Sequence, residues 1–142
     1  MFYCSNMSAS CSKLNIDKLQ LVQKFACRIE RGIWKYDHVT PELKHLRWLP
    51  VSSQVYYRNA ILAFKCMNGP APEYQSNFFT KCCDVNRYPT RNSQLLNVPL
   101  FKTASGQRTV YYRTVSIWNS SESIIKLSSN ESIFKKCFKS KL

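Results

Sequence analysis

The segment SSQVYYRNAILAFKCM, residues 52–67, decides the fold of this 142-residue chain. Apolar residues lie on most sides of it, and the positions we expect to be exposed to solvent are Gln54, Arg58 and Lys65. A helix that is apolar nearly all round is normally covered by its neighbours, so we expect this helix at the centre of the molecule. Asn68-Gly69 follows directly and is typical of a helix end, because glycine readily takes a left-handed conformation.

The segment HVTPELKHLRWLPV, residues 38–51, leads into this central helix. Thr40-Pro41-Glu42 predicts a helix start, since threonine can cap, proline fits the first turn and glutamate lies near the positive end of the helix dipole. Pro50 disfavours helical geometry at the residue before it, which predicts a two-turn helix with Trp48 at its exit. We interpret Trp48 and Pro50 as a packing corner between two helices.

Residues 13–31 predict an amphipathic helix that ends just before Gly32. Its apolar residues recur at steps of three and four: Leu19, Val22, Phe25, Ala26 and Ile29. Another side carries a basic stripe, which is either a solvated face or a contact for phosphate. The stripe consists of Lys24, Arg28 and Arg31.

The second half of the chain contains weaker signals. Pro72 begins a short helix that reaches about Phe79, and residues 95–99, LLNVP, predict a short strand. Residues 106–118 are ambiguous, because β-branched side chains compete with a helical spacing. Residues 129–142 predict a terminal helix, with Ser129 or Asn130 as its cap and an apolar side formed by Ile133, Phe134, Cys137 and Phe138. We expect that helix to dock on the domain, with an anionic membrane or phosphate contact as alternatives.

These elements predict a mainly α fold. We expect a small helical domain of about five helices, with one short strand or hairpin around residues 95–115. Residues 1–12 form a leader remnant in this interpretation, and residues 13–142 form a single helical domain. Only 3 glycines are present, which disfavours a turn-rich all-β fold.

The net charge of +13, from 21 basic and 8 acidic residues, predicts a polyanionic partner. Nucleic acid is the first choice and an anionic membrane surface the second, with a merely solubilising charge as the alternative. Residues 85–121 contain no acidic residue and interleave arginines with aromatic rings, a mixture that suits RNA or single-stranded DNA. The candidate nucleic-acid-binding residues are Lys24, Arg28, Arg31, Arg87, Arg91, Arg108 and Arg113. For the aromatics we favour a different interpretation, a core stripe of Tyr111, Val115 and Trp118 at helical steps, while phosphate contact stays open for the arginines.

No recognisable catalytic motif accompanies these residues. The 8 carboxylates are scattered, and no metalloprotease, nucleophile-elbow or phosphate-loop pattern occurs. We therefore predict no catalytic residue, no metal site and no cofactor. A cysteine nucleophile remains an alternative, built from Cys82 or Cys83 with His38 or His45.

The cysteines and the N-terminus bear on location. There are 7 cysteines, without a C-x-x-C pair, and the first residues lack the apolar core of a secretory signal. We therefore expect reduced thiols in an intracellular protein, nuclear or cytoplasmic and not secreted. No apolar run is long enough to predict a transmembrane segment.

Several segments, in this order, resemble the region C-terminal to the catalytic core in reverse transcriptases of non-LTR (LINE-type, jockey-like) retrotransposons. YCS at 3–5 and NIDKLQLVQKFACRI at 15–29 resemble the entry helix of that region. HVTPELKHLRWLPV resembles its short helix and Trp-Leu-Pro corner, and RNAILAFKCMNGPAPEY at 58–74 its central helix and turn. The closing elements of that family region resemble SIWNS at 116–120 and SIFKKCFKSKL at 132–142.

The chain also departs from that family. Asn6 follows YCS where the family continues with Trp-Gly, and Ser121-Glu122 replaces a Leu-Pro pair. No position matches the metal-binding Asp-Asp motif of the polymerase palm. The resemblance thus implies a fragment or remnant of an RNA-directed DNA polymerase that lacks the palm and is not an enzyme by itself. Its implied partners are an RNA or DNA backbone and an upstream polymerase domain; a repurposed, non-catalytic protein-interaction module is the alternative.

Overall fold

The computed structural model describes residues 10–88, 91–122, 126 and 128–142. Residues 1–9, which hold most of the predicted leader and the YCS element, lie outside the described residues. The described part contains eight helices and is mainly α, as predicted. In chain order they are α1 (Lys13–Arg31), α2 (Thr40–His45), α3 (Val51–Asn68), α4 (Glu73–Ser76), α5 (Cys82–Val85), α6 (Ala104–Gln107), α7 (Val110–Ser120) and α8 (Glu131–Lys139). Three of them, α4, α5 and α6, are four-residue turns.

Helix α3 is the centre of the fold, as its apolar sequence predicts. It packs against α1, α4, α7 and α8. Ala60 and Ala63 are small and fully buried, so α7 can approach closely and add Val115 and Trp118 to the same cluster. Gly69, with φ of 88°, ends α3 in the left-handed conformation. The remaining buried members of the main core are Phe64, Leu96, Ile117, Phe134 and Phe138.

Helix α8 docks on this core. Asn130 caps it by accepting a hydrogen bond from the backbone N–H of Ser132 at 3.3 Å. Phe134 is fully buried, with its ring centroid 4.5 Å from that of Phe64. Phe138 is buried as well, stacked 5.5 Å from Phe134. The docked arrangement is thus the one the structure adopts, because the two largest apolar residues of this helix face the domain.

The predicted strand or hairpin around residues 95–115 does not form within the described residues. Leu96 makes only an isolated antiparallel bridge with Lys81. Residues 110–120 are helical, and the hydroxyl of Thr109 accepts from the backbone N–H of Tyr112 at 3.4 Å to cap that helix. The β-branched residues of α7 are buried in contact with α3, and this packing outweighs their weak preference for strands.

Asn119 supplies what a neighbouring strand would have supplied to Leu96. Its side-chain oxygen accepts from the Leu96 backbone N–H at 2.9 Å, and its side-chain nitrogen donates to the Leu96 carbonyl at 2.8 Å. Leu96 is therefore buried at 1% exposure with both backbone groups paired. Within the SIWNS element, the asparagine is a structural residue.

Two glutamines of α1 hold the corner between α2 and α3. Gln23 donates from its side chain to the carbonyl of Leu49 at 2.8 Å. Gln20 accepts from the backbone N–H of Val51 at 2.8 Å, and its side-chain nitrogen donates to Gln23 at 2.9 Å. The Trp-Leu-Pro segment is a packing corner whose backbone is paired by side chains 26 to 31 residues earlier in the chain.

These hydrogen bonds orient α1 so that its polar side, and not its apolar side, faces the rest of the domain. Amphipathic helices normally bury their apolar side, but here Gln23 and Cys27 are buried at 2% and 0% exposure. Phe25 and Ile29 are 64% and 68% exposed. We call the exposed side the apolar face of α1; it comprises Leu14, Leu21, Val22, Phe25 and Ile29.

Helix α2 ends earlier than predicted. Pro50 was expected to stop it, whereas the last helical residue is His45. The helix ends in a Schellman motif, which consists of two backbone hydrogen bonds. Trp48 N–H donates to the Leu43 carbonyl at 2.8 Å, and Arg47 N–H donates to the Lys44 carbonyl at 2.9 Å. Arg47 takes the left-handed conformation, with φ of 55°. Pro50 lies directly before α3 instead.

Candidate nucleic-acid interface

The basic stripe of α1 is only partly available for a ligand. Lys24 is exposed. Arg31 forms an ion pair with Glu42, with 2.6 Å between Nε and Oε2. Arg28 is half-buried, and its Nε is buried without a hydrogen-bond partner among the described residues. A phosphate that approached this stripe would have to compete with Glu42 for Arg31.

A separate surface is formed by the loop between α5 and the segment that carries Leu96. Its two ends are joined by backbone hydrogen bonds from Cys83 N–H to the Ser93 carbonyl at 3.0 Å and from Cys82 N–H to the Leu95 carbonyl at 2.8 Å. These bonds fix the stem, so the described loop residues 86–88 and 91–92 lie next to a defined base. We call segment 86–92 the basic loop; residues 89 and 90 within it lie outside the described residues.

The basic loop presents Arg87, Tyr88 and Arg91 to solvent. Tyr88 is 73% exposed, and neither arginine forms an ion pair within the described part of the chain. Guanidinium groups bind phosphate through paired hydrogen bonds, and an exposed ring offers a surface for a base. Both kinds of contact are thus available within five residues of sequence.

The other two candidates differ from each other. Arg108 is exposed at the end of α6. Arg113 is half-buried on α7, where burial lowers the pKa of its guanidinium and the nearby Cys11 side chain partly offsets this. Cys11 lies just before the first turn of α1, whereas Arg31 is the last residue of that helix, whose two ends are about 27 Å apart at 1.5 Å per residue. The seven candidates therefore do not form a single site.

The aromatic residues of the acid-free stretch also divide into two groups. Val115 and Trp118 belong to the core, and Tyr111 packs against it with its ring 5.3 Å from that of Phe79. The core interpretation of this helical stripe is therefore confirmed. Tyr88 is outside the core, and its exposure separates it from the others.

A second cationic surface was not predicted from the sequence. A cavity of about 530 Å³ lies beside the Trp-Leu-Pro corner. Its lining includes Lys44, Arg47 and Trp48 from the corner and Lys139 from α8. We call this cavity the corner pocket. No sequence signal links Lys139 to the Trp-Leu-Pro corner, which lies about 90 positions earlier in the chain. The pocket becomes apparent only when α8 is docked on the domain.

The cysteine alternative finds little support in the geometry. Desolvation, followed by the hydrogen bond that its thiol donates to Asp84, raises the pKa of Cys83 and disfavours the reactive thiolate. Burial raises the pKa of Cys66 in the same direction. Within the described part of the chain, no hydrogen bond joins Cys82 or Cys83 to a histidine. Three metal-binding side chains do not come together anywhere among the described residues.

Comparison with known proteins gives no relative. No protein family, no curated protein and no solved structure matches this chain. The resemblance to reverse transcriptases therefore depends on the quoted residues alone. Within the described residues, the helices are all too short or too polar to cross a membrane.

Proposed function

We propose that this chain is a basic helical module that binds single-stranded nucleic acid, inside the nucleus or the cytoplasm. The basic loop is the observation that carries the proposal, because Arg87, Tyr88 and Arg91 lie in a loop closed by a hydrogen-bonded stem and their side chains are exposed to solvent. The resemblance adds an origin: a fragment or remnant of a non-LTR retrotransposon reverse transcriptase without its palm. We propose no catalytic activity for the chain alone.

The charge distribution favours a backbone-directed mode of binding. The whole chain carries +13, so attraction to a polyanion operates over the entire surface. The loop concentrates that attraction at two guanidinium groups, while stacking on Tyr88 would prefer an unpaired base to a duplex. Binding should therefore depend strongly on salt and weakly on sequence.

The test is a salt titration of binding to a fluorescent single-stranded RNA, followed by anisotropy. Arg87→Glu with Arg91→Glu should weaken binding by at least about tenfold at low salt, because two phosphate contacts become repulsive. For single strands, losing two contacts should also reduce the slope of log K against log[salt] by about 1.4.

The matched control is Lys13→Glu with Lys18→Glu, on the exposed surface of α1. Each double variant changes the net charge from +13 to +9, since every reversal removes two units. The control should leave the salt slope unchanged. If both variants lose the same affinity and the same slope, the charge acts diffusely and the basic loop is not the site.

The second candidate function is a protein-interaction module. The observation that favours it is the apolar face of α1, which offers Phe25 and Ile29 to solvent on a 19-residue helix. Contiguous exposed apolar surface of this kind usually marks a contact with another macromolecule. Lys18 lies within this face and Lys24 and Arg28 lie beside it, so a partner with acidic residues beside its apolar ones would complement it.

This alternative has its own test. Phe25→Ser with Ile29→Ser should leave the urea midpoint nearly unchanged, because neither side chain is in the core. The same variant should abolish concentration-dependent association, measured by sedimentation velocity, or binding to an amphipathic acidic helical peptide. A wild-type chain that is monomeric at high concentration and ignores the peptide would argue against an interaction module.

A further inference from the structure

The corner pocket is lined by both apolar and positively charged side chains. Its volume of about 530 Å³ is within the range of small-molecule sites, roughly 300–1,000 Å³. Leu43 and Pro50 contribute apolar surface, and Lys44, Arg47 and Lys139 contribute positive charge. No acidic side chain is among the described residues that line it, and none of these three cations forms an ion pair there.

The backbone at Arg47 is a second, independent observation. Arg47 occupies the left-handed position of the Schellman motif that ends α2, a position where glycine is usual. Glycines do occupy the left-handed ends of α1 and α3, namely Gly32 and Gly69. An arginine in this conformation is strained, and strained backbone positions cluster at functional sites. Here the strained residue lines the pocket.

Trp48 gives the pocket an exposed aromatic surface. Its side chain is 38% exposed and lines the cavity next to Arg47. An exposed indole stacks on flat rings, and the cations beside it would bind an anionic group attached to such a ring. A nucleotide has both parts: a base that can stack on the indole of Trp48, and a phosphate that the positively charged side chains can bind.

We propose that the corner pocket binds one nucleotide unit of a single-stranded nucleic acid. The base stacks on Trp48, and Lys44, Arg47 and Lys139 hold the phosphate. The choice of ligand class rests on the proposed function, but the site is separate from the basic loop. The basic loop thus follows the strand backbone, whereas the pocket takes a single residue of it.

The experiment is a fluorescence titration of the full chain with adenosine 5′-monophosphate. Trp34→Phe is used as the background, because Trp34 is exposed and Trp118 is buried in the core, so that quenching reports on Trp48. The nucleotide should quench the emission and bind at least about tenfold more tightly than adenosine or inorganic phosphate alone, since each of these makes only one kind of contact.

Arg47→Gly is the decisive variant. Glycine suits the left-handed conformation, so the urea midpoint should not fall, while loss of the guanidinium should weaken nucleotide binding about fivefold. Lys139→Ala should weaken binding similarly, whereas Lys136→Ala, an exposed lysine of the same helix outside the pocket, should not. Equal affinity of Arg47→Gly and its parent, or equal binding of phosphate and nucleotide, overturns the proposal.

The two proposals fail separately. If the nucleotide binds as described but reversal of the basic-loop charges leaves RNA binding intact, the pocket stands and the basic loop is not the backbone site. If RNA binding depends on the basic loop and on salt but the nucleotide does not quench Trp48, the pocket proposal is wrong and the proposed function stands.

Discussion

The hydrogen bonds between Asn119 and Leu96 give the sharpest prediction about stability. Asn119→Ala removes both bonds and leaves the backbone N–H and carbonyl of Leu96 buried and unpaired. Two lost bonds at about 1–1.5 kcal/mol each, with part of the desolvation cost of the orphaned groups, predict a loss of about 3 kcal/mol. That is a large share of the stability of about 5–15 kcal/mol that is typical of a protein.

Urea unfolding followed by far-ultraviolet circular dichroism measures this loss. The midpoint should fall with an unchanged m-value, and the melting temperature should drop by about 6–12 °C. Asn119→Asp retains an acceptor for the Leu96 N–H but cannot donate to its carbonyl, so it should also destabilise. Asn92→Ala, at an exposed position of the same segment, is the control. A change of less than about 0.5 kcal/mol for Asn119→Ala would refute the structural role given to the side chain.

Three other substitutions follow from single features. Thr114→Val should raise the unfolding free energy by about 1 kcal/mol in the same assay, because the buried hydroxyl has no hydrogen-bond partner among the described residues. Gly106→Ala should cost about 1–3 kcal/mol by calorimetry, since a Cβ there would lie 2.7 Å from Cβ of Phe101. The hydrogen bond from Lys135 lowers the pKa of Glu131 from its usual 4.5, so its carboxylate stabilises the fold above that pH. The stability gap between wild type and Glu131→Gln, measured by urea unfolding, should therefore close as the pH falls below 4.5 and through the lowered pKa of Glu131.

The sequence predicts helices here more reliably than it predicts their orientation. Periodicity and end signals were enough to place the central helix and its glycine end, because those depend on neighbouring residues. They could not show which side of α1 faces inward. That choice depends on Gln20 and Gln23, whose partners lie near Pro50 and are paired only in the folded chain.

The candidate site shows the same limit. Composition alone singled out the acid-free stretch, yet exposure separates Arg87 from the half-buried Arg113. The strand predicted at 95–99 failed because one asparagine replaces a whole neighbouring strand at Leu96. The corner pocket needs Lys139 beside Arg47, a proximity that no local pattern encodes.

The glutamine bonds at the corner have a consequence for how the chain opens. Among the described residues, α1 contributes only Cys27 to a buried apolar cluster, the small one that it shares with Val39 and Leu43. Little apolar surface is therefore exposed when this helix separates from the rest, and its attachment depends largely on polar contacts. We expect α1 to behave as a detachable arm, with amide exchange faster than in α3. Trypsin should release it at the exposed Lys35 before the remaining helices unfold.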